Sequence, residues 1–173
     1  MYRYIHAIAL LLVAAAALAE TPEERLEAAG YTLPEPTKPV AVYVTRVRTG
    51  NLLFLSGHGE CGALEDITKG KVGRDLTVAE GKASAEKVGL CMLATIKDEL
   101  GELSRVKRFV RILGMVNATE DFTAQPQVIN GFSELMVVAF GEDGKAARAA
   151  VGMASLPSNI AVEIEAIVEL HDD

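Results

Sequence analysis

Two amphipathic helix patterns, each followed by a glycine, constrain the fold of this chain more than any other feature of its sequence. The first begins at Thr77, which has a glutamate three residues later in capping-box spacing, and runs to about Leu100 before Gly101. The second is predicted to begin with Asp121 as its N-cap and to end at Gly141. Each pattern has an apolar stripe, so each helix must pack against another layer of structure.

Five segments before, between and after these helices have the composition of β-strands. They span residues 41–47, 52–55, 106–116, 147–154 and 160–170. A turn joins the first two, which are predicted to form a hairpin. The predicted order is therefore β-β-α-β-α-β-β in an α+β domain, and an antiparallel or mixed sheet with two helices packed on one face satisfies it.

The N-terminal residues have the pattern of an export signal. Residues 1–19 contain Arg3 near the start, then an apolar run, and end with small residues in the A-x-A arrangement of a cleavage site. The apolar run is shorter than the roughly 20 residues that span a bilayer. We therefore expect cleavage before Glu20, no stable membrane association of the mature chain, and a periplasmic or secreted location.

The mature chain is predicted to have two parts. Residues 20–38 combine a short helix, which begins after Thr21 and ends at Gly30, with a proline-rich extended tether. Residues 39–173 are predicted to form the folded domain. The mature length of about 150 residues is sufficient for one domain with a sizeable core.

The charge balance argues against nucleic acid as a partner. The chain has 24 acidic and 17 basic residues, with a formal net charge of −7. An acidic surface repels phosphate backbones, and the sequence has neither a basic run nor an aromatic platform for bases. We therefore expect no nucleic-acid partner.

A glycine-rich loop is predicted over residues 56–75. Loops of this length without secondary structure are more often functional than idle. The loop contains Cys61, whereas the second of the two cysteines, Cys91, lies in the apolar part of the first predicted helix. Nothing in the spacing favours a disulfide, so we expect a loop thiol and a core thiol.

The same loop carries three residue types that bind zinc, at His58, Glu60 and Cys61. Three candidates within four residues, without a second cluster, support a metal only weakly, so no metal site is predicted and His58 is expected to line a cleft. No phosphate loop, dinucleotide fingerprint or nucleophile elbow is present, and no nucleophile signature accompanies His58 for a serine–histidine triad. The basic residues of the third predicted strand are expected on a solvated face, with a pocket role for one of them left open: Lys107, Arg108 and Arg111.

The C-terminal strands carry the most informative motifs. These are Ala147-Arg148-Ala149-Ala150-Val151, Ala154-Ser155-Leu156-Pro157 and Ala161-Val162-Glu163-Ile164-Glu165-Ala166-Ile167. Upstream motifs follow in a consistent order: Val42-Tyr43-Val44, Phe54-Leu55-Ser56-Gly57, Gly70-Lys71-Val72-Gly73-Arg74-Asp75-Leu76 and Val128-Ile129-Asn130-Gly131-Phe132. Together these motifs resemble the YjgF/RidA family, the reactive-intermediate deaminases once labelled L-PSP endoribonucleases, over nearly all of the mature domain.

The resemblance implies a chorismate-mutase-like fold that assembles as a homotrimer with pockets between subunits. It also implies hydrolysis of enamines or imines of amino acids to 2-oxo acids and ammonia, without a metal or organic cofactor. By position, Arg148 matches the family's substrate-carboxylate arginine, and Glu163 is a candidate for proton transfer. The other matching pocket positions are Tyr43, Asn130 and the main chain around Ser56 and Gly57.

Residue chemistry is consistent with two of these assignments. Arginine grips a carboxylate through two parallel hydrogen bonds, and the small neighbours of Arg148 leave room for a ligand. Taken alone, Arg148 would be assigned to a surface. Glu163 and Glu165 alternate with apolar residues, so both carboxylates leave the sheet on one side. This pair is either an outward acidic face or a site where one raised pKa suits a general acid or base.

Two features depart from the family pattern. Many relatives have glutamine and a short loop after Ser-Gly, whereas this chain has His58 and a long insert, which bears on substrate choice. Export would also separate the chain from the cytosolic pyridoxal-phosphate dehydratases that usually generate enamines. The main alternative is a non-catalytic trimer that binds small carboxylates. RNA cleavage rests on the older family label alone, and the acidic charge argues against it.

Overall fold

The computed structural model describes residues 20–36, 38–39 and 41–172. Its helices are α1 (Pro22–Ala28), α2 (Val78–Leu100) and α3 (Gln125–Phe140). Its strands are β1 (Arg46–Thr49), β2 (Leu52–His58), β3 (Val106–Asn117), β4 (Ala147–Met153) and β5 (Val162–Leu170). The predicted order of helices and strands is confirmed. The predicted signal peptide, residues 1–19, lies outside the described residues, and none of the described helices has the length and apolar character needed to cross a membrane.

The five strands form one mixed sheet in the order β1-β2-β5-β3-β4. Neighbouring strands are antiparallel except β3 and β4, which are parallel and are connected through α3. A parallel pair requires a crossover connection, and α3 provides it. The register places Gly114 of β3 between Ile164 of β5 and Ala150 of β4. The predicted α+β class with a mixed sheet is confirmed.

Helices α2 and α3 pack side by side over one face of the sheet, as predicted. They approach closely because Gly131 of α3 lies against the carbonyl oxygen of Lys82 on α2, where a Cβ atom would overlap that oxygen. The largest fully buried side chains come from both layers and include Leu53, Met92, Phe109, Ile112, Ile129 and Phe132. We call this side of the sheet the helix face.

The opposite side, which we call the open face, is exposed in the single chain. One row of neighbouring residues crosses all five strands on this face: Val47, Phe54, Ile167, Arg111 and Ala147. Val47 and Phe54 remain 54% and 39% exposed, respectively. A depression of about 160 Å³ is lined by Phe54, Arg111, Glu165 and neighbouring residues. The open face therefore combines apolar side chains with charged ones.

The basic residues of β3 occupy two different positions. Lys107 and Arg108 form ion pairs with Glu169 at 2.8 and 2.6 Å, so both lie on a solvated part of the strand. Arg111 instead lines the open-face depression. Lys107 and Arg108 are therefore on a solvated face, as expected, whereas Arg111 faces a concave part of the surface. The sequence analysis left such a pocket position open for one of the three residues.

The helix starts test two capping predictions. At α2 the Thr77 hydroxyl accepts a hydrogen bond from the Glu80 N–H, and the Glu80 carboxylate accepts one from the Thr77 N–H at 2.8 Å, so the capping box is confirmed. The Asp121 cap is wrong, because α3 begins at Gln125. Pro126 presets the backbone of the first turn there, so the helix starts next to the proline and not at the acidic residue.

Strand β1 is shorter and begins later than the predicted segment 41–47. It pairs with β2 only from Arg46 to Thr49, and β2 shifts register after Leu55. Residues 41–45 precede the strand, and most of them are exposed. β2 continues to His58, so the region predicted as loop begins three residues later than expected.

Cys61 and Cys91 form a disulfide, which contradicts the expectation of two separate thiols. Their Cα atoms are 5.6 Å apart, within the usual range for a bridge. The sequence could not reveal this pair because their 30-residue separation matches no motif and their proximity depends on how the loop docks on α2. The bridge fastens the start of the 59–77 loop to the middle of α2.

The rest of this loop is held by Lys71. Its Nζ atom donates hydrogen bonds to the Asn117 Oδ1 atom and the Ala118 carbonyl, both at 3.1 Å, and to the Ala154 carbonyl at 2.5 Å. Val72 also forms an isolated bridge with Ala118. The loop is therefore docked at the end of β3 and beside the β4–β5 connection, where these bonds replace regular secondary structure.

Reduction of the disulfide is expected to lower the free energy of unfolding by about 2–4 kcal/mol, because the bridge restricts the unfolded chain. Thermal unfolding with and without reductant measures the effect. The matched control replaces Cys61 by serine and Cys91 by alanine. Its melting temperature should approach that of the reduced protein and should not respond to reductant. An equal melting temperature for the oxidised and reduced wild type would contradict this prediction.

Candidate functional site

Arg148 lies on β4, where it is aligned with buried Ile112 of β3 and therefore points to the helix face. Its Nη1 atom donates hydrogen bonds to the Asn130 Oδ1 atom and the Ser133 Oγ atom, both at 2.9 Å. Asn130 and Ser133 are three residues apart on α3 and so share one side of that helix. The parallel crossover thus places two polar residues of α3 beside the arginine that follows it.

The charge of Arg148 is not neutralised within the described part of the chain. Both of its hydrogen-bond acceptors are neutral, and it forms no ion pair with any described residue. Arg46 is a contrast, because its guanidinium pairs with Asp98 and Glu99 at 2.8 and 2.7 Å. The Arg148 side of β4 is exposed. An exposed, oriented and unneutralised guanidinium is suited to bind an anion.

Glu163 lies on β5, on the open face, and is half-buried. Burial raises the pKa of its carboxyl above the ordinary value, and the negative charge of Glu165 raises it further. The carboxylate lies directly against Gly57, where a Cβ atom would overlap the Glu163 Oε1 atom. Glu163 and the main chain at Gly57 therefore form one local site, which only a glycine at position 57 permits.

Ser56 and His58 flank Gly57 at the register shift of β2. The Ser56 hydroxyl donates to the Thr45 carbonyl at 3.2 Å. The expected loop position of His58 is wrong, because this residue ends β2 and its side chain is 1% exposed. Its ring nitrogens are hydrogen-bonded to the Ser56 carbonyl at 2.7 Å and to the Thr95 hydroxyl at 3.1 Å. Burial lowers the pKa of the imidazole. The His58 ring therefore supports β2 against α2 and does not line a cleft.

The single chain does not bring all the candidate residues together. Glu163 is aligned with Met115, which is aligned with Val151, three residues along β4 from Arg148. The Cα atoms of Arg148 and Glu163 are therefore two strands apart across the sheet and three residues apart along the strand direction. This offset corresponds to a distance of about 14 Å. Their side chains also leave the sheet on opposite faces. Tyr43 lies in an exposed bend before β1 and forms no hydrogen bond to the other candidates in the described part of the chain.

Ser133 is the site residue that the sequence analysis missed. The available signal was its position three residues after Asn130, which places both polar side chains on one side of a predicted helix.

The three zinc-binding residue types at the start of the loop have separate roles. His58 is buried, Cys61 is in the disulfide, and the Glu60 carboxylate lies 3.4 Å from the Lys87 ammonium group. Over the residues that the structure describes, no three potential metal ligands converge.

A comparison with known proteins identifies the relatives of this arrangement. The family model described as "YjgF/chorismate mutase-like, putative endoribonuclease" matches residues 23–170. The chain belongs to the YjgF/RidA family. The matched range includes all but the first residue of α1, which packs against α3, as well as the whole sheet. The five-stranded sheet with helices on one face is the chorismate-mutase-like fold that the resemblance implied.

Three relatives illustrate how closely the chain matches known proteins. It is 40% identical to protein TCP17 of Trypanosoma cruzi over 148 residues, which cover 85% of this chain and 92% of that protein. It is 43% identical to protein Atu1372 of Agrobacterium tumefaciens, with coverage of 87% and 94% and a TM-score of 0.80. RidA from the Antarctic bacterium Psychrobacter sp. is 26% identical, with coverage of 79% and 94% and a TM-score of 0.52.

Replacement of Glu163 by glutamine is expected to raise the melting temperature at pH 7. Because the folded-state pKa of Glu163 is raised, its ionisation weakens the fold as the pH rises from the unfolded glutamate pKa, ~4.3, through the folded value. The uncharged amide removes this loss, so the difference between variant and wild type should be of a few degrees and should shrink towards pH 4. Thermal unfolding as a function of pH measures it.

The matched control for this prediction is Glu102→Gln at an exposed position. This control should leave the melting temperature at pH 7 close to that of wild type. A Glu163→Gln variant that melts below wild type at pH 7 and equals it at pH 4 would reverse the expected sign. In that case the ionised carboxylate would stabilise the folded chain.

Proposed function

We propose that this protein hydrolyses 2-imino acids and their enamine tautomers to 2-oxo acids and ammonia, without a cofactor. The observation that carries the proposal is the state of Arg148. Its guanidinium is exposed, held by two neutral acceptors and not paired with a carboxylate of the described chain. A substrate carboxylate would supply the missing negative charge. Membership of the YjgF/RidA family supports the same chemistry.

The proposed reaction is an addition of water followed by loss of ammonia. The water oxygen forms a bond to the imine carbon while the imine nitrogen takes up a proton, which gives a carbinolamine. The amine nitrogen then takes up a second proton, the carbon–nitrogen bond breaks and the hydroxyl gives up its proton to replace the one transferred, which releases a 2-oxo acid and ammonia. Glu163 would accept the proton of water and return a proton to nitrogen, a role that its raised pKa favours. Arg148 would hold the substrate in position for attack.

A pocket that uses both Arg148 and Glu163 requires more than one copy of the chain. Within one copy their Cα atoms lie about 14 Å apart and their side chains occupy opposite faces of the sheet. We therefore propose a homotrimer in which Arg148 of one copy meets Gly57 and Glu163 of another. The exposed apolar residues of the open face, such as Val47 and Phe54, support burial of this face between copies. The exposed side chain of Tyr43 would also contribute to this pocket between copies.

The alternative is a trimer that binds small carboxylates at Arg148 without turning them over. The observation in its favour is that Arg148 and Asn130 form an anion site without any contribution from Glu163. We further propose that the protein acts outside the cytosol after removal of residues 1–19. The endoribonuclease name of the family model does not extend to this chain in our proposal, because a net charge of −7 disfavours binding of a phosphate backbone.

The oligomeric state is the first prediction from this proposal. Light scattering coupled to size exclusion should give the mass of three mature chains across micromolar concentrations, because assembly would bury exposed apolar side chains of the open face such as Val47 and Phe54. Replacement of Phe54 by glutamate should lower the measured mass, since a charge would be buried between copies. A Lys107→Glu control on the solvated part of β3 should keep the trimer. A monomeric wild type would contradict the proposed assembly.

Arg148 provides the direct test of function. The assay measures ammonia released above background from the imino acid that an L-amino-acid oxidase forms from L-leucine. Arg148→Ala should lose at least about 30-fold in turnover efficiency, and Arg148→Lys should lose nearly as much, because bidentate geometry is needed as well as charge. Both variants should melt close to wild type, since Arg148 forms no ion pair with the described residues.

The matched control is Arg108→Lys, where an arginine pairs with the chain's own Glu169 and a lysine should be tolerated. Activity of this variant should equal that of wild type. Normal hydrolysis by Arg148→Lys would refute the assigned role of the guanidinium. Carboxylate binding by wild type without any ammonia release would instead favour the binding-protein alternative.

A further inference from the structure

The hydrogen bonds of Arg148 use up one end of its guanidinium. The Nη1 atom carries two hydrogens, and it has two acceptors, the Asn130 Oδ1 atom and the Ser133 Oγ atom, each at 2.9 Å. No other hydrogen bond from Arg148 is formed within the described residues. The three remaining hydrogens, one on Nε and two on Nη2, are therefore available to a ligand.

This distribution selects one edge of the guanidinium for a carboxylate. A guanidinium offers two edges for paired hydrogen bonds, one formed by Nη1 with Nη2 and one formed by Nε with Nη2. The first edge needs an Nη1 hydrogen, and both of these are engaged by α3. The Nε–Nη2 edge has no acceptor among the described residues. A carboxylate that binds without breaking a bond to α3 must use this second edge.

Ser133 is needed for this selection because Asn130 has a single acceptor oxygen directed at Nη1. With one bond only, the guanidinium could rotate and present either edge. When Nη1 donates to two residues that lie three positions apart on the same helix, the plane of the guanidinium is fixed, and so is the edge that it presents to a ligand. Pre-ordering of this kind lowers the entropy that a ligand must remove on binding.

We propose that Ser133 is a positioning residue that, together with Asn130, fixes Arg148 so that a 2-oxo or 2-imino acid carboxylate binds the Nε–Nη2 edge. The proposal rests on the function inferred above and specifies how the same site takes its ligand. Ser133 acts through Arg148 and does not contact the reacting carbon. Its effect should therefore fall on ligand binding more than on the chemical step.

The first measurement needs no ligand and uses the full mature protein. Carbon-detected NMR of labelled arginine reports rotation about the Cζ–Nη1 bond of Arg148. Rotation should be slow in wild type, faster in Ser133→Ala, and slow again in Ser133→Thr, which retains the hydroxyl acceptor. The control Ser104→Ala, at an exposed position in the short turn before β3, should not change it. Equal rotation rates in wild type and Ser133→Ala would overturn the positioning role.

The second measurement uses 2-oxobutanoate as the probe. On its addition the Nε–H resonance of Arg148 should shift strongly, whereas the Nη1 resonances should change little. Calorimetry should give a Kd for 2-oxobutanoate about three- to tenfold weaker in Ser133→Ala, with recovery in Ser133→Thr. The rate of imine hydrolysis at saturating substrate should stay within about twofold of wild type.

The outcomes separate this inference from the proposed function. A shift at Nη1 without a shift at Nε would refute the choice of edge, and an unchanged Kd in Ser133→Ala would refute the role of Ser133 in binding. If slow Nη1 rotation were found but wild type neither bound 2-oxobutanoate nor hydrolysed imines, the arrangement of Arg148 would stand and the proposed function would fail. Loss of maximal rate with an unchanged Kd would also contradict a positioning role.

Discussion

The parallel pairing of β4 with β3 is the constraint on which the arrangement of the candidate site depends. It aligns Arg148 with Ile112, whose side chain is buried under the helices, and so directs the arginine to the helix face. The crossover that a parallel pair requires is α3, which passes over the same strand. Asn130 and Ser133 consequently lie within hydrogen-bond distance of Arg148. An exposed arginine is thereby held in one orientation, as the proposed anion site requires.

The sheet separates Arg148 from the second candidate residue, Glu163. Alternation along β5 sends Glu163 to the open face, where the absence of a side chain at Gly57 admits its carboxylate. Burial and the neighbouring Glu165 raise the pKa of Glu163, and shifted pKa values of this kind are common among residues of functional sites. The open face also exposes apolar side chains such as Val47 and Phe54, so the surface that carries Glu163 is the one that a second copy is proposed to cover.

The long loop between β2 and α2 is attached to the rest of the domain at more than one point. The Cys61–Cys91 bridge fastens the start of the loop to α2, and Lys71 fastens its later part to the end of β3. The buried ring of His58 lies at the base of the same region, bonded to Thr95 of α2. A covalent tether is compatible with the predicted export, because disulfides persist in oxidising compartments. The loop is therefore held in place beside the connection between β4 and β5.

The sequence by itself determined the features that depend on neighbouring residues. The sequence predicted the capping box at Thr77, the two apolar helix stripes, the order of helices and strands along the chain, and the candidate Arg148. Each of these depends on local spacing or on a short motif. Only the tertiary structure decided the Cys61–Cys91 bridge, the burial of His58 and the hydrogen bond that Arg148 donates to Ser133. Each of these joins residues that are distant in the chain, and their contact depends on how β2, α2, α3 and β4 pack. Periodicity reports which side of an element is apolar, whereas packing alone sets which polar atoms meet across it.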